Sequence, residues 1–374
     1  MVENCDAKGD GNCVANGNGN GENNDQNFPI VFTSMGMFII DEIHFPNQPA
    51  QYDVLGGGGT WGVVGSRVIL SSKHSGEVGM IIDYGTDCPD KIKEEVLGWG
   101  IDLIIRENES RLTTRGWNMY GDNEFRSFKY LTPKKRIDVD DLVQYESLLN
   151  SKSFHLICSP ERCIEIMKRL RIERLKIGNE EEPISIWEPI PDDCNPKNLE
   201  RCLSILDKID ILSPNAAEAS SFFGLSEPNN RKELEKIASK FIPYLTKKNS
   251  GIVLRCGKMG CYCLNNSGLS KWFPAYHHPL NPDYKVVDPT GAGNAFLGAL
   301  ATGFVKSDKN WTIACICGNI GSGLAIEQIG MPKLTKGDRW NGKTVQERFK
   351  LYLDRNKDID FDFKKLSKLL DYNQ

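Results

Sequence analysis

No stretch of this 374-residue chain is apolar for long enough to cross a bilayer; runs such as 37–40 and 252–254 end within a few residues. Charge of either sign is not in excess. With 46 basic against 50 acidic residues the net charge is −4, so nothing draws the chain in bulk to nucleic acid or anionic membrane. The N-terminus lacks the basic-then-apolar pattern of a secretory signal, so none is expected. Histidine is scarce, at five residues, and the adjacent His277 and His278 would point opposite ways on extended backbone. Twelve cysteines are present, yet no two are separated by two residues; Cys261/Cys263 and Cys315/Cys317 are one residue apart. That spacing excludes zinc-ribbon and thioredoxin-type motifs and leaves reduced, buried thiols in a cytoplasmic protein as the expectation.

What is present is an ordinary globular composition, 40% hydrophobic and 26% charged, enough for one large α/β domain or two smaller ones. Residues 1–28 are rich in Gly, Asn and Asp and read as a disordered leader. Short apolar strands then alternate with helical periodicity. Strands are expected over 30–41, 79–83, 101–105, 154–158, 183–187, 209–212, 251–254 and 260–264. Helices are expected over 60–73, 89–99, 161–177, 196–206, 214–223, 231–245, 292–305 and 311–328. Alternating aromatic and polar residues over 113–130 suggest a hairpin or lid. Amphipathic segments at 342–353 and 361–372 suggest an outer helical extension. Such alternation implies a largely parallel sheet covered on both faces, with ligands at the carboxyl ends of strands.

The densest chemical signal is Val286–Leu300, VVDPTGAGNAFLGAL. Asp288-Pro289 breaks an extended segment. Gly291-Ala292-Gly293 then removes side-chain bulk where backbone N–H groups can converge on an anion, and a helix of small residues carries on from Asn294. Backbone donors and a positive helix end make a phosphate site without a lysine.

This segment resembles the second signature of PfkB-type carbohydrate kinases, the ribokinase-like group, whose pattern is Asp-Thr-x-Gly-Ala-Gly-Asp before a small-residue helix. Other segments agree in order. Ser213–Glu218 resembles the Asn-x-x-Glu motif, Cys256–Gly260 the Gly-x-x-Gly nucleotide loop, 36–41 the opening strand, and 55–70 the glycine-rich first signature. The resemblance implies a three-layer α/β/α sandwich with a mainly parallel central sheet and a small β lid. It places the kinase domain at 29–335, lid elements within 42–56 and 107–131, and a C-terminal helical extension at 336–374. It also implies ATP and Mg2+ as cofactors, K+ as a further cation, a sugar-like substrate, and a homodimer formed through the lid. A nucleic-acid or membrane partner is not expected.

Carried over residue by residue, the resemblance assigns Gly291, Ala292 and Gly293 to the anion hole and Asn294 to the position of the catalytic base. Arg255, Gly257 and Gly260 would contact nucleotide; Asp41, Gly57, Gly58 and Trp61 the substrate. Asn215 and Glu218 would hold magnesium through water, and Asp288 and Thr290 a monovalent cation. Three departures stand out. Asn294 replaces an Asp, and an amide cannot accept a proton near neutral pH. No Asn follows the glycines at 56–59, where Thr60, Trp61 and Gly62 stand instead. The usual Thr of the nucleotide strand is replaced near Arg255-Cys256, where Arg255 either faces a phosphate or is a solvated strand end. Two functions follow: ATP-dependent phosphoryl transfer made slow or abolished by Asn294, or a nucleotide-binding pseudokinase acting as a binding or regulatory protein. Gly57–Gly62 also satisfies G-x-G-x-x-G, with Glu77 downstream, which keeps a dinucleotide enzyme as a distant alternative.

Overall fold

The computed structural model describes residues 28–121 and 126–370; the expected leader otherwise lies outside the described residues. Thirteen strands carry the architecture. In the first half these are β1 (Phe32–Ser34), β2 (Ile39–His44), β3 (Gln51–Gly56), β4 (Val78–Tyr84), β5 (Asp102–Glu107), β6 (Arg115–Tyr120) and β7 (Arg126–Tyr130). In the second half they are β8 (Ser153–Ile157), β9 (Ile184–Glu188), β10 (Ile211–Leu212), β11 (Gly251–Arg255), β12 (Cys261–Asn265) and β13 (Ser270–Phe273).

The main sheet runs β13-β12-β11-β10-β9-β8-β1-β4-β5, paired parallel throughout except at one edge, where β12 is antiparallel to both β11 and β13. Its strands are apolar on both sides, and successive side chains enter different cores. Met80 and Ile82 join one cluster and Ile81 the other; Val253 faces the first, Ile252 and Leu254 the second. That period-two division is what a sheet between two helix layers requires. One layer is built on helices Gly58–Ile69, Ala292–Lys306 and Trp311–Ala325, the other on Pro160–Lys176 and Arg231–Ser239.

A second, four-stranded sheet runs β3-β2-β6-β7. The β-rich run 30–41 therefore splits, β1 into the main sheet and β2 into the small one. Helix Arg231–Ser239 is shorter than its periodicity suggests. Pro243, within the 3-10 turn Ile242–Tyr244, lacks the N–H that a continuing α-helix would need. Helices Val345–Arg355 and Phe363–Leu369 bury Phe349, Tyr352, Leu366 and Leu369 against the first core. The ten cysteines among the described residues are all free and buried, and no described helix is long and apolar enough to cross a membrane.

Candidate active site

Two helix N-termini converge at the carboxyl edge of the main sheet. Helix Gly58–Ile69 leaves β3 through Gly57, at φ +92°, and helix Ala292–Lys306 leaves its turn through Gly291, at φ +76°. The two helices touch backbone to backbone. A Cβ on Gly298 would collide with the Gly62 carbonyl, and one on Gly65 with that of Ala295. The Ser66 and Thr302 hydroxyls join the pair further along, 2.6 Å apart. This crossing brings the helix starts together: a Cβ built on Gly58 would lie 3.0 Å from Asn294 Oδ1. That amide oxygen is buried and makes no hydrogen bond.

The turn itself is fixed from three sides. Asp288 is buried, and its Oδ1 accepts the Thr290 N–H at 2.9 Å and the Thr290 hydroxyl at 2.6 Å. The Val287 N–H donates to the Ile326 carbonyl at 2.8 Å, tying the turn to the end of helix Trp311–Ala325. From the small sheet, the Tyr120 hydroxyl hydrogen-bonds that of Thr290. Trp61 is buried with Ala295 and Ala325, its ring so close to Gly291 that any side chain there would strike it. Trp61 thus supports the turn from beneath.

Arg255 closes the fourth side. It ends β11, bridged to Asn215, and its N–H donates to the Pro214 carbonyl at 3.1 Å. Its Nη2 lies 2.7 Å from Glu188, 3.4 Å from Glu218 and 3.0 Å from the Ser213 carbonyl. Nη1 rests against Gly293, in space that a Cβ would fill. Behind Glu188 the polar chain continues inward through His155 Nε2 at 3.2 Å, and from His155 Nδ1 to Ser34 at 3.4 Å. Burial by itself would raise the Glu188 carboxyl, but Arg255 and His155 outweigh it and hold the group below its ordinary range. At Glu218 burial wins and pushes the carboxyl up, with the more distant guanidinium opposing it in part.

Asn215 and Glu218 form a reciprocal capping box on helix Ala216–Ser221, each side chain accepting the other's backbone N–H at 2.8 Å. Gly257 and Gly260, at φ +51° and +87°, shape the turn from β11 to β12. Asp41 is buried in β2, its carboxylate lying over Gly56 of β3 and Gly116 of β6, where any Cβ would collide with it. Gly58 with Asn294, Trp61 with Gly291, and Arg255 with both Gly293 and Glu218 are therefore direct neighbours. Asp41 and the 257–260 turn have other surroundings.

Glu188, His155, Ser34 and Tyr120 were not legible as site residues. Each is isolated in sequence, and only the rule that ligands gather at the carboxyl ends of parallel strands could have singled out Glu188, the last residue of β9. The dinucleotide alternative loses its context. The strand before Gly57 belongs to the small antiparallel edge β2–β3, and Glu77 is buried against Lys306 at 3.0 Å.

The profile of the pfkB family carbohydrate kinases matches residues 120–333. The chain belongs to that family. This pfkB-family chain is 39% identical over 353 residues to Protein MAK32 of Saccharomyces cerevisiae, an alignment covering 90% of this chain and 95% of the relative. In fold it matches ribokinase from Giardia lamblia at TM-score 0.63 and 15% identity, covering 88% of this chain and 99% of that one. It also matches Arabidopsis thaliana ribokinase complexed with ribose and ATP, at TM-score 0.59 and 19% identity, covering 87% and 99%. The three-layer sandwich is shared with these ribokinases.

The pfkB resemblance places magnesium, held through water, at Asn215 and Glu218, and the oxygens of both residues are already partly engaged. The Asn215 side-chain oxygen is spent on the Glu218 N–H, and the Glu218 carboxylate is shared between a backbone N–H and a guanidinium.

Proposed function

We propose that the chain binds the phosphates of a nucleotide at the 288–294 turn, and a hydroxyl-bearing, sugar-like molecule beside Gly58 and Asn294 under the small sheet. Phosphoryl transfer there is slow or absent. The observation that carries the reading is Asn294 Oδ1, buried and unpaired at the position where a base would take the substrate's proton. An amide oxygen can accept a hydrogen bond from a hydroxyl there but cannot remove its proton. Gly291 and Gly293 support the phosphate half, since the turn opens backbone donors at the start of a 15-residue helix. The neighbour complexed with ribose and ATP supports both halves by fold alone.

General-base catalysis contributes about 10²–10⁴-fold, so Asn294→Asp is expected to raise ATP-dependent phosphorylation by at least about 10²-fold on a panel of sugars and nucleosides. Ordinary kinase rates from the natural chain on any member of the panel would overturn the reading. ATP binding without turnover in either form would favour the second reading, a nucleotide-binding pseudokinase with a regulatory role. A monovalent cation, proposed for Asp288 and Thr290, would have to share a carboxylate that already takes two hydrogen bonds from Thr290. Pairing of two copies through the small sheet, which exposes Tyr52 and Phe128, belongs to the same proposal, as does a cytoplasmic setting.

A further inference from the structure

The geometry points to Arg255 as a resident cation that stands where the family is expected to use magnesium, so that this chain binds nucleotide phosphates without a divalent metal. The inference rests on the nucleotide reading above and deepens it.

Its first support is position. Arg255 closes β11 at the carboxyl edge of the sheet, its main chain anchored on Pro214, beside the Asn215–Glu218 pair. Its guanidinium spans the gap from that pair to Gly293, touching the anion turn directly. Its second support is occupancy. Glu188 and Glu218 are the acidic side chains facing this point, and both are turned onto Nη2. Magnesium requires oxygen ligands at about 2.0–2.1 Å with several waters in near-octahedral array. At Glu218 it would have to stand beside a fixed positive charge on the same carboxylate. Its third support is an unmet donor. Arg255 Nε is buried and makes no hydrogen bond, an unmet donor that is costly for an ionised group. A planar guanidinium presents a fork that matches phosphate oxygens, whereas a Thr, which the family pattern has near here, presents a single hydroxyl.

The pull of Glu188 does not remove this capacity. Glu188 lies inward of Arg255 and is also held by His155, which keeps the guanidinium aimed from behind.

The test is a calorimetric titration of the full-length chain with ATP and with ADP, once with excess Mg2+ and once with EDTA. Dissociation constants within about threefold of each other are expected for the natural chain. Arg255→Thr is expected to lose at least tenfold in EDTA and to recover most of that loss with Mg2+. Arg255→Lys, which keeps the charge and spares Glu188 an unpaired burial, is expected to remain insensitive to EDTA. A natural chain that binds ATP with Mg2+ and loses tenfold or more in EDTA overturns the resident-cation assignment and leaves the nucleotide reading standing. A chain that binds neither nucleotide under either condition overturns both.

Discussion

At the scale of single residues, the two glycines of the anion turn have different reasons to be glycine. Gly291 is at φ +76° with the Trp61 ring against its Cα, so a side chain there meets both backbone strain and a rigid indole. Gly293 is confronted chiefly by the tip of Arg255, the far end of a flexible side chain whose Nη2 is held by Glu188. Gly291→Ala is therefore expected to cost about 2–4 kcal/mol, from the left-handed backbone and the overpacking together. Gly293→Ala should cost less than about 1 kcal/mol. Urea unfolding checks the pair, with a lowered midpoint at unchanged slope for the first and little shift for the second. Equal losses would mean that the guanidinium is held as rigidly as the indole.

At the scale of elements, the site depends on how closely two helices cross. Gly65 and Gly298 remove the bulk between Gly58–Ile69 and Ala292–Lys306, and this is what lets Gly58 meet Asn294. Gly298→Ala would drive a methyl group into the Gly62 carbonyl, a backbone atom that cannot rotate away. The expected cost is about 1–3 kcal/mol. Nucleotide affinity should fall more than stability alone accounts for, because the helix starts are levered apart; calorimetry with ATP alongside urea unfolding separates the two effects. The same elements show what could be read without a structure. The helix after Gly57, the turn at 288–294 and the alternation of strands were legible because local chemistry enforces them. The division of 30–41 between two sheets was not, since strand partners are chosen by chain segments far away, Val78 and Phe154 for β1 and Arg115 for β2. Arg255 could be seen as a departure from the pattern. Its partner Glu188 could not, lying 67 positions earlier on a strand with nothing unusual around it.

At the scale of the whole molecule, a buried ionic cluster helps to tie the segment after 335 into the fold. Arg348 donates both ends of its fork to Glu327, at 2.7 and 3.0 Å, and Glu327 also receives His277 at 3.2 Å and Asn341 at 3.0 Å. Burial would raise the Glu327 carboxyl, but His277, Arg348 and Asn341 outweigh it and pull it down to about 2. A folded value below the ordinary 4.5 adds stability that is complete above that pH and is lost as the pH falls towards 2. Urea midpoints between pH 6 and pH 3 should therefore decline for the natural chain and decline less for Glu327→Gln. Arg348→Ala, which leaves the carboxylate buried without its main partner, should cost about 3–5 kcal/mol at pH 7. An acid limb unchanged in Glu327→Gln would assign that limb to other carboxylates.

The hydroxyl contact between Tyr120 and Thr290 joins the small sheet to the loop that would receive a phosphate. An outward swing of that sheet must break this bond, so the state of the loop and the degree of enclosure are not independent variables. One neutral hydrogen bond contributes about 1 kcal/mol, a population ratio near fivefold. That bias is small enough for thermal fluctuation to undo and large enough for an arriving anion, competing for Thr290, to alter. Under the proposed function, the timing of ligand entry and exit would then depend on the same few atoms that hold the ligand's phosphate.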